Sequence, residues 1–136
     1  MKPFISALVV IIACLSSSHS GAERAVVPVP DRVLELPGTY SLAQIKSAVS
    51  FGGNSKRFFI ETQEAGKAVI LWPLNGENYQ ARFEIVYNEM RIKIRLMDSF
   101  GLNQQPCKKN QSVQCAHPNV SRRMNQLTSL IMRRLH

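Results

Sequence analysis

The pattern of apolar and polar positions divides the chain into a leader, a short helix, a group of strands and a final helix. Between residues 41 and 49 the apolar side chains recur at helical spacing, and Ser41 with Gln44 matches a capping box. Gly52 and Gly53 offer an end for this helix. The pattern therefore predicts a short amphipathic helix with one buried face.

Four segments with strand character follow this helix. They span residues 58–62, 68–72, 79–87 and 90–96. The last two alternate between apolar and polar side chains, and the dipeptide Asn88-Glu89 between them predicts a hairpin with a two-residue turn. Such a turn places Tyr87 opposite Met90. We therefore expect an antiparallel sheet of about four strands.

The same register gathers positive charge on the polar face of the hairpin, because it places Arg82 opposite Arg95. Like charges that face each other cost stability unless an anion neutralises them. The candidate anion-binding residues are Arg82, Arg91, Lys93 and Arg95. In the alternative interpretation these side chains extend into water, or Glu61 on a neighbouring strand compensates them.

The last segment predicts a helix that begins at Pro118, with His117 or Asn119 as its N-cap. One stripe is apolar and the opposite stripe is basic, and Arg133 and Arg134 suit the negative end of the helix dipole. A basic amphipathic helix either lies on an anionic membrane or covers a sheet. The apolar face of the hairpin needs a cover. We therefore predict an α+β domain over residues 40–136, with the C-terminal amphipathic helix packed on the sheet.

The first 22 residues have the organisation of a secretory signal, with Lys2, an apolar run over residues 4–15 and a small polar tail. The run is too short to span a bilayer. Two processing routes stay open. The segment ending at Cys14 resembles a bacterial lipobox, in which residues 1–13 are removed and Cys14 is lipidated. Cleavage after Ala22 instead releases a soluble protein. Lipidation is preferred.

Residues 23–39 contain three prolines and little periodicity, and they predict an extended tether between the anchor and the domain. In the alternative interpretation Val26, Val27 and Val29 add a short edge strand. Cys107 and Cys115 are the cysteines that both processing routes leave for the fold, and an even pair in an oxidising compartment predicts a disulfide. A metal site with His117 is the alternative, but three ligands without a fourth make a poor zinc site. No metal and no cofactor are expected.

The net positive charge of the chain indicates which partners the protein could bind. The chain has a net charge of +8, of which Lys2 is lost with the signal. Outside the cytoplasm such a charge favours anionic lipid, lipopolysaccharide, acidic wall polymers or acidic protein faces, and nucleic acid is not expected there. In the alternative interpretation the charge only confers solubility.

Residues with catalytic chemistry are few. Asp98, Ser99 and His117 offer a carboxylate, a hydroxyl and an imidazole, but neighbouring residues of a strand point to opposite faces and no nucleophile elbow frames Ser99. His117 before Pro118 is more simply a helix cap. We therefore predict no enzyme, with a small hydrolase as the less favoured alternative. Trp72 is interpreted as a core residue, with carbohydrate stacking as the alternative.

Four short segments carry a family resemblance: Ile85-Val86-Tyr87-Asn88, Asp98-Ser99 with Leu102-Asn103, His117-Pro118-Asn119, and Arg122-Arg123-Met124-Asn125-Gln126-Leu127. Through them, residues 40 to 135 resemble a widespread group of small uncharacterised proteobacterial lipoproteins. The chain departs from that pattern in the loop between Cys107 and Cys115 and near Arg123-Met124, where an aromatic residue common in the final helix is replaced. The resemblance implies a lipidated protein and supplies no activity. Leu15, which follows Cys14, favours the inner leaflet of the outer membrane, facing the periplasm.

These observations together predict a non-catalytic envelope lipoprotein that binds an anionic envelope component or supports an envelope assembly through a protein partner. A soluble secreted or periplasmic interaction protein is the alternative.

Overall fold

The computed structural model describes residues 25–136. The predicted signal peptide, Cys14 and both processing sites lie outside the described residues. Within residues 25–136, no helix combines the length and the apolar character needed to cross a membrane.

The first helix, α1, spans Leu42–Gly53 and confirms the predicted capping box. Gln44 N donates to Ser41 Oγ at 3.1 Å, and Ser41 N donates to Gln44 Oε1 at 2.7 Å. The helix ends at Gly53, as predicted, and both glycines are helical and buried. A Cβ at Gly53 would lie 2.6 Å from Ile70 Cδ1. Glycine therefore allows the end of α1 to approach the sheet closely.

The second helix, α2, spans Pro118–Leu135, and His117 is its N-cap because His117 Nδ1 accepts a hydrogen bond from Asn119 N at 3.0 Å. Of its predicted apolar stripe, Val120, Met124, Leu127 and Ile131 are buried and Leu135 is partly buried. Leu130, which was not predicted to belong to the stripe, is buried as well. The two helices run in opposite directions. Tyr40 Oη lies 3.5 Å from His136 Nδ1, and Gly52 packs against Ile131 at the other end of α1. Together they form one helix layer.

The strands form two antiparallel sheets. Their bounds are β1 Val27–Pro28, β2 Arg32–Glu35, β3 Phe59–Glu64, β4 Lys67–Trp72, β5 Gln80–Tyr87, β6 Arg91–Phe100, β7 Gln105–Pro106 and β8 Gln114–Ala116. The larger sheet has the order β2-β6-β5-β4-β3, and the smaller one has the order β1-β8-β7. The α+β class is confirmed, with a main sheet of five strands instead of about four.

The additional strand comes from the segment predicted to be a tether. Within residues 23–39, β1 pairs with β8 and β2 pairs with β6. Val29 and Leu36 are buried in the core, and the Arg32 guanidinium donates two hydrogen bonds to Asn125 Oδ1 of α2. The tether prediction is therefore wrong for residues 27–36, because these residues pair with the sheets and the domain begins before residue 40.

The hairpin of β5 and β6 forms, but the predicted register is wrong. Tyr87 lies opposite Ile92, not opposite Met90. The reason is the turn: Asn88 Oδ1 accepts hydrogen bonds from the backbone of both Met90 and Arg91, and Asn88 N donates to Arg91 O. Asn88 thus begins an Asx-type turn instead of sitting at its tip. The pairing moves by two residues between Phe83 and Tyr87, so these side chains keep their predicted face, and by three residues beyond the bulge at Arg82.

One face of the main sheet packs under the helix layer. Its buried side chains include Ile70, Trp72, Phe83, Ile85, Ile92 and Ile94. The other face carries the polar alternate residues, with no helix of residues 25–136 over it, and is called the open face below. The disulfide between Cys107 and Cys115 is confirmed, and it joins β8 to the loop that follows β7.

Candidate anion-binding site

The four predicted anion-binding cations all lie on the open face, but each of them meets a carboxylate. Arg91 Nε lies 2.9 Å from Glu35 Oε1, and Lys93 Nζ lies 3.4 Å from Asp31 Oδ2. Both acidic partners belong to the segment around β2, which was not predicted to pair with β6. The strand that the sequence interpretation missed therefore neutralises half of the predicted site.

Arg82 and Arg95 do not oppose each other, so the repulsion on which the prediction rested is absent. The register places Arg82 opposite Asp98 and Arg95 opposite Glu84, with a bulge between the two pairs. Arg82 lies within 3.6 Å of Asp98 and 3.3 Å of Glu61. Glu61 therefore compensates Arg82, as the alternative interpretation expected.

Glu84 is the most enclosed acid of the open face. Arg95 Nε donates to it at 2.6 Å, and Lys67 Nζ lies 3.5 Å away. The hydrogen bond from Arg95 is the main cause that lowers the pKa of Glu84, assisted by the charges of Arg95 and Lys67 and opposed by burial. The open face thus carries five cations and five carboxylates in contact.

The excess positive charge of the described residues therefore lies outside the open face. Residues 25–136 contain fifteen Lys and Arg and eight Asp and Glu, a net of +7. The five cations and five carboxylates paired on the open face contribute zero to it. Seven cations lie on the helix layer and on the turn after α1, where the sequence has no acid: Lys46, Lys56, Arg57, Arg122, Arg123, Arg133 and Arg134. We call this set the basic layer.

Among the cavities that border the basic layer, the one lined by three of its cations is called the basic pocket below. It is a cavity of about 430 Å³ lined by Lys56, Arg57, Trp72, Arg123 and Gln126. The antiparallel arrangement of the helices creates it, because the chain leaves α1 beside the first half of α2. No carboxylate of residues 25–136 lies within ion-pair distance of its three cations.

Arg123 occupies the inner part of this pocket. Its guanidinium carbon lies 5.0 Å from the centroid of the Trp72 ring, and its Nη1 donates to Gln126 Oε1 at 3.0 Å. Its Nε is buried without an acceptor among the described residues. Trp72 is only 3% exposed and also contacts Tyr79. Trp72 is therefore a core residue, as interpreted, and its ring is closed to a stacking sugar.

The outer part of the pocket is a rigid turn that carries Lys56 and Arg57. Phe58 N donates to Ser55 O at 3.0 Å, and Leu74 N donates to Arg57 O at 3.0 Å. Lys56 has a φ of 59°, in the left-handed region that costs energy for a residue with a Cβ. The backbone bonds of the turn hold this lysine in place.

The residues considered for catalysis do not assemble. Asp98 pairs with Arg82, Ser99 Oγ donates to Gln104 Oε1 at 2.6 Å, and His117 caps α2. Among the described residues, no group of three or more His, Cys, Asp or Glu side chains is placed to hold a metal ion. Each of the three side chains considered for catalysis is thus bonded to a different partner.

Compared with protein-family models, with curated proteins and with solved structures, the chain matches none. The lipoprotein resemblance therefore stays an expectation. A signal for the basic layer was present in the sequence, because residues 36–60 and 99–136 contain no Asp or Glu at all. The contact between Trp72 and Arg123 had no such signal, since 50 residues separate them along the chain.

Proposed function

We propose that the protein is a non-catalytic binding protein of the bacterial envelope, and that its basic layer engages anionic lipid headgroups. The observation that carries this proposal is the separation of charge: the open face is neutral through its pairs, whereas the basic layer holds seven cations and no acid. An unbalanced basic surface attracts anions over a distance of about 10 Å at ordinary ionic strength.

An aromatic side chain within the basic layer favours a lipid surface over a purely polar polymer. Phe51 on α1 is 43% exposed, and the Arg134 guanidinium carbon lies 5.2 Å from the centroid of its ring. An exposed aromatic ring beside cations suits the boundary between headgroups and acyl chains. Lipidated Cys14 and the basic layer would then act on the same membrane.

The test uses the full chain with Cys14→Ser, which removes the lipidation site, and vesicles of phosphatidylcholine with or without phosphatidylglycerol. We expect sedimentation only with the anionic vesicles, and weaker binding as salt is raised. Arg133→Gln with Arg134→Gln removes two exposed cations of the basic layer. Because each cation near the surface contributes about 1 kcal/mol, the affinity should fall by about tenfold or more.

The control is Arg91→Gln with Lys93→Gln, which removes the same charge from the open face. Both residues are paired with carboxylates, so this variant should bind as the parent does. Equal losses in the two double variants would refute the basic layer as the binding surface. Equal binding to neutral vesicles would refute anionic lipid as the ligand.

A further inference from the structure

We infer that the basic pocket is a binding site for a terminal phosphate group. The site deepens the proposed function, because it gives the basic layer one specific position for an anion. It rests on that function for the identity of the ligand, which is a lipid headgroup that ends in a phosphate. Lys56 and Arg57 enter the pocket from the turn after α1, and Arg123 enters it from α2. Two segments far apart in the chain thus direct three cations into one cavity.

The number of charges favours phosphate over carboxylate. Three cations surround the cavity, and no carboxylate of the described residues pairs with them. A terminal phosphate carries a charge of about −1.5 to −2 and three acceptor oxygens. A carboxylate carries one charge and two oxygens, so it would leave most of the positive charge uncompensated. Arginine suits phosphate because its donors form a planar fork.

Arg123 is oriented before any ligand arrives. The ring of Trp72 covers one face of its guanidinium, and Gln126 accepts from Nη1. These contacts leave the Nε donor without an acceptor among residues 25–136. Nε itself is enclosed, so a ligand in the pocket would meet the guanidinium through its terminal nitrogens. A group that is oriented before binding loses little entropy when it binds.

Lys56 adds an independent observation from the backbone. Its φ of 59° costs a non-glycine residue energy that Gly or Asn would largely avoid. Asn103, at a φ of 58°, shows the ordinary solution to the same backbone problem in this chain. A strained residue that the surrounding bonds hold in place is typical of ligand-binding sites. Gly or Asn would avoid the backbone cost, but neither would bring a positively charged group to the pocket.

The closing experiment measures binding of inorganic phosphate to the full chain with Cys14→Ser, by calorimetric titration, with acetate at matched ionic strength as the reference anion. We expect one saturable phosphate site and no comparable acetate binding. Arg123→Gln and Lys56→Asn should each weaken phosphate binding by about tenfold or more. Asn tolerates the left-handed backbone, so the Lys56→Asn variant should keep its melting temperature. Loss of binding in that variant then reflects the charge and not unfolding.

The matched control is Arg133→Gln, which removes one cation from the same helix outside the pocket. Its phosphate affinity should equal that of the parent. The inference is overturned if no saturable site exists, if acetate binds equally well, or if Arg133→Gln loses as much affinity as Arg123→Gln. Vesicle binding is tested separately, through Arg133 and Arg134. If the protein binds anionic vesicles but has no saturable phosphate site, only the inference about the basic pocket is overturned. Phosphate binding without vesicle binding overturns only the lipid function.

Two kinds of vesicle identify the source of the phosphate. Phosphatidic acid ends in a terminal phosphate, whereas the phosphate of phosphatidylglycerol is a diester. Tighter binding to phosphatidic acid, reversed by inorganic phosphate and lost in Lys56→Asn, supports the site with a lipid as its ligand. Saturable phosphate binding without this preference supports the site with a soluble phosphate ester as its ligand.

Discussion

Arg95 Nε donates to Glu84 Oε1 at 2.6 Å across the pair β5 and β6, in the place where the predicted register would have put Arg95 against Arg82. The hydrogen bond is the main reason that the pKa of Glu84 lies below its usual value of 4.5. A carboxyl group with a lower pKa in the folded state stabilises the fold above its unfolded pKa. That stabilisation is lost as the pH falls through the folded pKa.

Glu84→Gln should therefore lower the free energy of unfolding by about 1 kcal/mol near neutral pH, a small figure because water screens the pair. The difference between the two proteins should shrink once the pH falls below 4.5, the usual pKa. Urea denaturation at neutral and at acid pH measures both. Glu89→Gln, in the exposed turn of the hairpin, is the control and should change little. A difference that stays constant down to acid pH would contradict the role of the charge.

The Cys107–Cys115 disulfide should contribute roughly 2–3 kcal/mol, because it closes a short loop in the unfolded chain. Cys107→Ser with Cys115→Ser should lower the free energy of unfolding by this amount. A reducing agent should lower that of the parent equally and leave the double variant unaffected. If reduction changes the stability of neither protein, the bond has no part in holding β8 in place.

Gly53→Ala should destabilise the protein, although alanine favours helix by about 1 kcal/mol over glycine. The new Cβ would lie 2.6 Å from Ile70 Cδ1 and 2.8 Å from Ile60 Cγ1, and overpacking of this kind costs about 1–3 kcal/mol. Thermal unfolding measures the net effect. Ser47→Ala on the exposed side of the same helix should not destabilise. A Gly53→Ala variant more stable than the parent would show that both isoleucines move aside freely.

Lys56→Gly should leave the stability unchanged or raise it by up to about 1 kcal/mol, since glycine adopts a positive φ without steric cost. Arg57→Gly removes the same charge at a neighbouring position that does not have a positive φ. It should lower the stability through the greater backbone entropy of the unfolded chain. Melting temperatures of the two variants make the comparison. A clear loss in Lys56→Gly would show that the lysine side chain holds the turn.

Features specified by neighbouring residues could be predicted from the sequence. The capping box of Ser41 and Gln44 needs only three residues of spacing, and the same holds for His117 before Pro118. The alternation of β5 and β6 also placed Phe83, Ile85, Ile92 and Ile94 on the buried face, because the alternation along a strand does not depend on its register. Met90, expected on the same face, is exposed in the turn. Local spacing therefore predicted most of the core that these two strands contribute.

Features specified by partners distant in the chain could not be predicted in this way. The register depends on the Asn88 side chain, which accepts from the backbone of Met90 and Arg91. Strand β2 lies among prolines, and only its pairing with β6 makes it a strand. Once β2 pairs, Asp31 and Glu35 neutralise two cations that sequence spacing alone left unbalanced. For this reason the candidate anion-binding site lies in the basic layer and not on the open face, where the sequence predicted it.

The pairing of β1 and β2 also limits how far the folded domain can stand from a membrane. If the lipid is on Cys14, the chain between the anchor and the first paired residue consists of residues 15–26, not of residues 15–39. Fully extended, the shorter segment reaches about 40 Å, less than half of the length that the longer one would give. With the lipid on Cys14, the domain would be confined to a shell close to the bilayer, where the headgroup region would come within reach of the basic layer at a high effective concentration.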